Sequence, residues 1–344
     1  MTSKKKILYG LLLLVTLVVL TNWNLIIYGI SQARGQLEIV YNSQPIEVFL
    51  NDNDFPDSLK NKLRLIPEIK RFAFDSLGIN YSENYSTMYN QKGKPLMFVV
   101  SACEPFKLEQ KKWNFPFLGS FSYKGFFNKG MAGKLEEELK NEGLDTNIRT
   151  AGGWSTLGWF KDPILSGMLK RGEGQLAELI IHELTHGTLF VKDSLKFNEN
   201  LASFVGENGA LLFLKNHYGE NSEYFKIYQQ SLSDDELFKN YVLKWASKLD
   251  STYGSFTAEM TVNEKLNVKT SMIKEFKEDV DNLNLNNKSR FVDFLNRQEI
   301  NNTFFMSYIR YGVYQNLLKE ELASKFNGDI KVMLKSYKQK YPSL

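Results

Sequence analysis

The first apolar stretch lies close to the amino terminus. Three lysines precede an apolar run over residues 7–20, and after a short polar break a second apolar stretch follows. As a helix, residues 7–30 would be about 36 Å long, which is enough to cross a bilayer. No small-residue cleavage pattern follows the first run, so we predict an uncleaved transmembrane signal anchor within residues 1–30. The lysines are expected to stay in the cytoplasm and to leave residues 31–344 outside it, at the cell membrane.

The next section combines helical and strand patterns. Apolar residues at three- and four-residue spacing predict a helix over 59–77, capped by Asp57 or Ser58. A second, amphipathic helix is predicted over 128–142. Short apolar runs predict three strands, at 95–102, 117–123 and 145–150. Residues 31–170 are therefore expected to form an α+β part with a small mixed sheet.

From Gly174 onward the pattern is helical. The first helix of this part has an apolar side, and it is followed by a connection at 192–196 and a second helix over 198–217. Further apolar periodicity predicts helical segments over 223–249, 264–283 and 291–326. Because the sequence shows no internal repeat and no long linker, we expect one compact ectodomain, residues 31–344, with a helical part at 171–344.

The composition narrows the classes of function. Of 344 residues, 43% are apolar and 24% are charged, which is typical of a globular protein. The net charge of +4 is mild and the sequence contains no nucleic-acid-binding motif, so no nucleic-acid partner is expected. Cys103 is the only cysteine, which excludes an intramolecular disulfide and a cysteine-rich zinc site. Any metal ion would have to be held by histidine and carboxylate side chains.

The pattern H-E-x-x-H occurs at residues 182–186, within the first helix of the helical part. His182 and His186 are four residues apart and therefore share one helix face, where both imidazoles can bind one metal ion. Glu183 follows directly after His182, where its carboxylate can reach a water molecule bound to that ion. We predict a catalytic zinc site. The alternative is a structural or vestigial motif.

A catalytic zinc ion needs a third protein ligand. Glu199 follows His186 by 13 residues, at the start of the next predicted helix. An antiparallel helix pair with a short loop would bring it beside the two histidines. His217 is the other candidate, although its position beside Tyr218 also suits a surface residue at a helix end. We predict Glu199 as the third ligand.

Two further glutamates flank the predicted site. Glu207 lies eight residues after Glu199 on about the same helix face, where it would either orient one of the histidines or be solvated. Glu178 lies four residues before His182 and is expected to be a surface charge. The glycine-rich segment 152–158 precedes the motif and is either a turn or the edge of a cleft that binds an extended peptide.

The segment H-E-L-T-H followed by F-N-E-N-L-A-S-F-V resembles the zincins whose third ligand is glutamate. The M1-type aminopeptidases have an N-E-G-F-A-type segment at the corresponding place. The chain is more similar to the bacterial family of predicted aminopeptidases, over most of residues 28–320. The matching segments include S-T-L-G-W-F at 155–160 and the pair Asp162-Pro163.

This resemblance implies a zincin-like core and a zinc-dependent peptidase. It also implies His182, His186 and Glu199 as ligands and Glu183 as the catalytic acid and base. Two departures from the M1 enzymes matter: the distance along the chain to the glutamate ligand is shorter, and segment 152–156 lacks an acidic residue. In the M1 enzymes a G-x-M-E-N-type segment at that place binds the free amine of the substrate through its glutamate.

Hydrolysis of an amide also needs a hydrogen-bond donor for the tetrahedral oxyanion. Tyrosine is the expected residue type, because the chain has only three histidines. Tyr308 and Tyr311 lie three residues apart on a predicted helix and therefore share a face. We predict Tyr311 as the donor, and packing in the core is the alternative role for either tyrosine.

Together these features predict a membrane-anchored zinc aminopeptidase with an α+β, zincin-like fold. An extracytoplasmic zinc endopeptidase or oligopeptidase is the first alternative. A non-catalytic, membrane-anchored binding module on the same fold is the second alternative, and an enzyme acting on a non-peptide amide or ester is the third. The expected partners are a peptide substrate and, through the N-terminal helix, the membrane.

Overall fold

A computed structural model describes residues 4–5, 9, 13, 16–17, 20–115, 119–151, 161–192, 194–311 and 315–341, with the backbone alone at 310–311. Most of the apolar run at 7–20, which carries the predicted signal anchor, lies outside these residues. Within them, no helix combines the length and the hydropathy that crossing a membrane requires. The anchor therefore stays a prediction.

The architecture is α+β, with helices in the majority. The helices of the described residues, α1 to α12, are Trp23–Asn42, Ile46–Leu50, Asp57–Leu77, Lys129–Asn141, Glu173–His186, Leu195–Tyr218, Glu223–Gly254, Val262–Asp279, Lys288–Asn296, Asn302–Tyr311, Gln315–Phe326 and Ile330–Lys340. The strands, β1 to β8, are Gln44–Pro45, Thr87–Tyr89, Phe98–Cys103, Trp113–Phe115, Gly119–Phe121, Lys124–Phe126, Asp145–Thr150 and Ile164–Leu165. Short 3-10 helices occur at Met168–Lys170 and Val280–Asn282.

The strands form three small sheets, whereas the sequence predicts a single mixed one. β2 pairs antiparallel with β1 and parallel with β8, so this sheet is mixed. β3 lies between β6 and β7 and is antiparallel to both. β4 and β5 form a separate two-stranded sheet. The predicted strand at 145–150 is confirmed as β7, and the one at 95–102 is confirmed with its start moved to Phe98.

Local capping sets the ends of two helices in this part. Asn128 accepts a hydrogen bond from the Met131 amide through its side chain, 3.0 Å, and so begins α4. The predicted cap of α3 is wrong, because the N-cap position is Pro56 and Asp57 is already helical. An acidic residue in the first turn still interacts favourably with the helix dipole. Gly78, with φ +73°, ends α3 in the left-handed conformation.

The predicted helical segment at 291–326 is wrong as one element, since residues 297–301 separate α9 from α10. Tertiary contacts set the start of α10. The Asn302 amide donates to Asp145 at the start of β7, 2.8 Å, and the Asn302 side chain donates to the Glu104 carbonyl, 2.8 Å. Asn301 accepts from the Thr303 amide, 3.0 Å. These bonds anchor the helix start to the sheet, and the apolar spacing does not show them.

Three groups of buried apolar residues hold the elements together. The largest lies among α3, α5, α6 and α12 and includes Ile66, Ile180, Val205 and Leu334. A second lies among α7, α8, α9 and α10 and includes many aromatic rings, with Phe276 at its centre. A third joins β3 to α4. The largest core therefore contains the two helices on which the predicted metal ligands lie.

Candidate metal centre

The two helices α5 and α6 pack side by side in antiparallel orientation. His186 lies near Glu199, His182 near Ser203 and the Glu178 carbonyl near Gly206. The residue numbers thus run in opposite directions along the two helices. Of the two helices, α5 contains the H-E-x-x-H motif and α6 contains the predicted glutamate. The predicted helix over 198–217 is confirmed, with its start three residues earlier, at Leu195.

The loop between these helices is held by Asn198. Its side-chain oxygen accepts from the Val191 amide, 2.8 Å, and its side-chain nitrogen donates to the Val191 carbonyl, 2.8 Å. This pair of bonds fixes the first turn of α6 against the end of the loop. Glu199, the next residue, is thereby directed to the histidines despite the short connection.

His182, His186 and Glu199 form a group that could hold a metal ion, with one ligand atom from each within 4.8 Å of the others. The two Nε2 atoms are 3.2 Å apart. The Glu199 carboxylate oxygens lie 3.7 Å from the His182 Nε2 and 3.6 Å from the His186 Nε2. Ligand atoms around a tetrahedral zinc ion with bonds of about 2.1 Å are about 3.4 Å apart. The spacing of the three side chains therefore fits zinc.

The histidine rings have the protonation state that a metal ligand needs. Burial lowers the pKa of His182 to about 3, with His186 adding to the effect, and burial alone lowers the pKa of His186 to about 4. Both rings are neutral near pH 7, so their contacts with Glu199 are not ion pairs. Neutral imidazole nitrogens and a carboxylate are a typical ligand set for catalytic zinc.

The ring of His182 is oriented from α6. The Ser203 hydroxyl lies 3.5 Å from the His182 Nδ1, the nitrogen that faces away from Glu199. Ser203 therefore has the orienting role that the sequence analysis considered for Glu207. Its position four residues after Glu199, on the same helix face, is the pattern that would have identified it. The Nδ1 of His186 is buried and has no hydrogen-bond partner among the described residues.

Glu178 and Glu207 lie close to each other, and Glu178 is one helical turn before His182 on α5. Glu178 accepts a hydrogen bond from the Tyr228 hydroxyl, 3.0 Å, so it is not the surface charge that the sequence predicts. Burial raises the pKa of Glu207 to about 7, and the neighbouring Glu178 adds to this rise. His217 is also apart from the site, because its Nδ1 faces Glu68 at 3.3 Å. Among the described residues, the histidines of the motif are thus grouped with Glu199 and not with His217.

Glu183 is partly buried beside the metal group. Burial raises the pKa of its carboxyl to about 7, and the carboxylates of Glu199 and Asp162 add to the rise. Asp162 and Tyr85, which the sequence did not single out as site residues, both lie within electrostatic range of Glu183. A carboxyl group with a pKa near neutrality can both accept and donate a proton at neutral pH.

Two predicted features are not described at the side-chain level. Tyr311 ends α10, whose backbone packs against α6, and its side chain lies outside the described part of the chain, as does segment 152–158. Tyr308 packs on Phe238 and Phe304 in the second core. This contact agrees with the packing role that the sequence offered for Tyr308.

A cavity of about 570 Å³ lies between the β3–β7 face and helices α7, α9 and α10. Lys239 on its wall is within electrostatic range of Glu207, and the preceding Gly206 packs against His182. The described residues that line the cavity all lie outside α5 and α6, and the link to α6 is electrostatic. Its other lining residues include Asn147, Arg149, Phe294 and Gln298.

Comparisons with known proteins identify the family. No curated protein and no solved structure matches the chain. A family model described as "Putative aminopeptidase" matches residues 27–340, nearly the whole chain. The chain therefore belongs to this family, in agreement with the resemblance over most of residues 28–320.

Proposed function

We propose that this chain is a zinc-dependent aminopeptidase that removes N-terminal residues from peptides. The observation that carries the proposal is the convergence of His182, His186 and Glu199 beside the partly buried carboxyl of Glu183. Family membership supports a peptide as the substrate.

Bound zinc would polarise the scissile carbonyl and lower the pKa of a water molecule toward ~7. Glu183 accepts a proton from this water while the water oxygen forms a bond to the carbonyl carbon. Glu183 then donates the same proton to the departing nitrogen as the carbon–nitrogen bond breaks. The products are a carboxylic acid and an amine, and Glu183 ends in its starting state. We assign Tyr311 as the donor to the oxyanion, on the support that α10 packs against α6.

The membrane anchor is part of the same proposal. The lysines followed by the apolar stretch 7–30 support a single-pass protein with a cytoplasmic amino terminus and an extracytoplasmic catalytic domain. Cell fractionation of the full chain, followed by protease treatment of intact cells, tests this topology. Recovery in the soluble fraction would contradict it.

Metal analysis and one substitution test the chemistry. The purified protein is expected to contain one zinc ion per chain. Glu183→Gln should keep the metal and lose hydrolysis, because glutamine cannot accept the proton of the attacking water. Glu275→Gln, the same change on an exposed position of α8, is the matched control. Absence of zinc, or full activity of Glu183→Gln, would overturn the proposal.

An endopeptidase or oligopeptidase is the second candidate, favoured by the lack of an acidic residue in segment 152–156. Fluorogenic amino-acid amides and amino-blocked peptides distinguish the two activities. An aminopeptidase needs the free amine and will cleave only the first group. Cleavage of the blocked peptides would establish the second candidate in its place.

A further inference from the structure

Tyr85 combines two unfavourable features at one buried position. Its side chain is 1% exposed, and its hydroxyl has no hydrogen-bond partner among the described residues. Its backbone has φ +63°, in the left-handed region that residues other than glycine rarely adopt. A buried hydroxyl without a partner and a left-handed backbone both oppose folding. Such features persist where the surrounding structure enforces them, and they concentrate at functional sites.

The structure around Tyr85 enforces its position. The Tyr85 amide donates to the Asp162 carbonyl, 2.7 Å, and the Asp162 amide donates to the side chain of Asn84, 3.1 Å. Lys70 donates to the Asn84 carbonyl. The backbone at 84–85 is therefore held both by the helix α3 and by the segment that leads into β8.

Tyr85 packs in the same buried core as Leu184, the residue that follows Glu183 on α5. The same stretch of chain contacts the residues just after the motif helix, where the Asn80 amide donates to the Thr188 hydroxyl, 3.0 Å. The Tyr85 phenol is also within electrostatic range of Glu183: burial raises the pKa of Tyr85 well above its usual value, and the charge of Glu183, followed by that of Asp162, adds to the rise.

We propose that Tyr85 is a positioning residue, whose hydroxyl donates a hydrogen bond that orients the Glu183 carboxylate toward the attacking water. The proposal rests on the proposed peptidase function. A phenol donates one hydrogen bond, and Asp162 already receives one from the side chain of Asn84, 3.5 Å. Hydrogen bonds of this kind are commonly long in the free enzyme and shorten when substrate binds. With one carboxylate oxygen of Glu183 held by Tyr85, the other faces the water.

The substitution Tyr85→Phe removes the hydroxyl alone and keeps the ring. We expect kcat for peptide hydrolysis to fall about tenfold, while KM and zinc content stay as in the wild type. The melting temperature should change little, because the hydrogen bond to Glu183 is long in the free protein, where the hydroxyl has no close partner among the described residues. Tyr253→Phe is the matched control, since its buried hydroxyl donates to Asn302, 2.8 Å, away from the metal group. This control should lower the melting temperature and leave kcat unchanged.

A double-mutant cycle tests the contact without relying on turnover. The free energy of unfolding is measured for the wild type, Tyr85→Phe, Glu183→Gln and the double variant. We expect non-additive effects, because the change at Tyr85 acts through Glu183. Additive effects together with an unchanged kcat would overturn the proposal. If the wild type hydrolyses no peptide, the proposed function fails, and additivity or coupling in the cycle still decides whether Tyr85 holds Glu183.

Discussion

Gly206 on α6 lies against His182 on α5 with no room for a side chain. A Cβ atom at position 206 would be 3.2 Å from the His182 Cβ and 2.9 Å from the Glu178 carbonyl oxygen. The glycine therefore sets the distance between the two helices on which the metal ligands lie. Since one ligand comes from α6 and two from α5, this distance also determines whether the three ligands can meet.

The first prediction concerns this contact. Gly206→Ala should lower the free energy of unfolding by about 1–3 kcal/mol, because the added methyl group forces two packed helices apart. The same shift moves Glu199 away from the histidines, so zinc affinity should fall as well. Urea unfolding and titration against a chromophoric chelator measure the two effects. Gly133→Ala is the control, because nothing lies within 4 Å of its added Cβ, and it should stabilise α4 slightly. Equal stability of the two variants would contradict the prediction.

A second prediction concerns Ser203. Its hydroxyl faces the His182 Nδ1 at 3.5 Å, and loss of a group that orients a ligand typically weakens metal binding about 10–100-fold. We expect Ser203→Ala to weaken zinc binding at least about tenfold and to leave the fold intact. Competition with a chelator of known affinity measures the change. Ser251→Ala, an exposed change on α7, should have no effect, and an unchanged affinity for Ser203→Ala would show that the hydroxyl does not orient the ring.

The third prediction is a pH dependence of stability. The pKa of Glu207 is about 7 in the folded protein, above its usual 4.5, so the folded state binds the proton more tightly than the unfolded state does. Below pH 4.5 burial of the Glu207 carboxyl does not lower the free energy of unfolding, because the carboxyl is protonated in both the folded and the unfolded state. Stability is then lost as the pH rises from 4.5 through 7, because the buried carboxyl must ionise. At pH 8 ionisation of Glu207 lowers the free energy of unfolding by about 3 kcal/mol.

Glu207→Gln should remove this loss of stability. The variant is expected to be more stable than the wild type at pH 8, and the difference should shrink toward pH 5. Urea unfolding of the metal-free protein at both values measures it without a contribution from zinc binding. Glu275→Gln, at an exposed position of α8 that does not act on Glu207, is the control. A difference that does not change with pH would mean that Glu207 is not the titrating group.

The fourth prediction concerns the anchor of α10. Lys269 is buried and donates to Asp145 at 2.7 Å, and Asp145 also accepts from the Asn302 amide. Asp145→Ala leaves the buried Lys269 ammonium without its carboxylate, with only the Pro105 carbonyl as acceptor, and the Asn302 amide without Asp145. This should cost about 3–5 kcal/mol. Chemical unfolding measures this loss. Asp293→Ala removes the carboxylate of an exposed pair on α9 and should cost less than about 1 kcal/mol; a similar cost for both would refute the anchoring role.

The sequence predicted those features that depend on neighbouring residues. The histidines and Glu183 belong to a five-residue pattern within one helix, and Glu199 follows across a loop short enough to limit where it can lie. The strand at 145–150 and the helix predicted over 128–142 likewise depend on residues within a few positions of one another. Spacing along the chain therefore determined the helices that carry the ligands and the ligand types.

Only the tertiary structure decided the features that join distant segments. Tyr85 lies within electrostatic range of Glu183, almost a hundred residues away in sequence, and no local pattern marks that approach. The break between α9 and α10 depends on bonds from Asn302 to the sheet, since the apolar spacing alone would permit one helix. Burial likewise decided the pKa of Glu183, because desolvation depends on everything packed around a carboxyl and not on its neighbours in sequence.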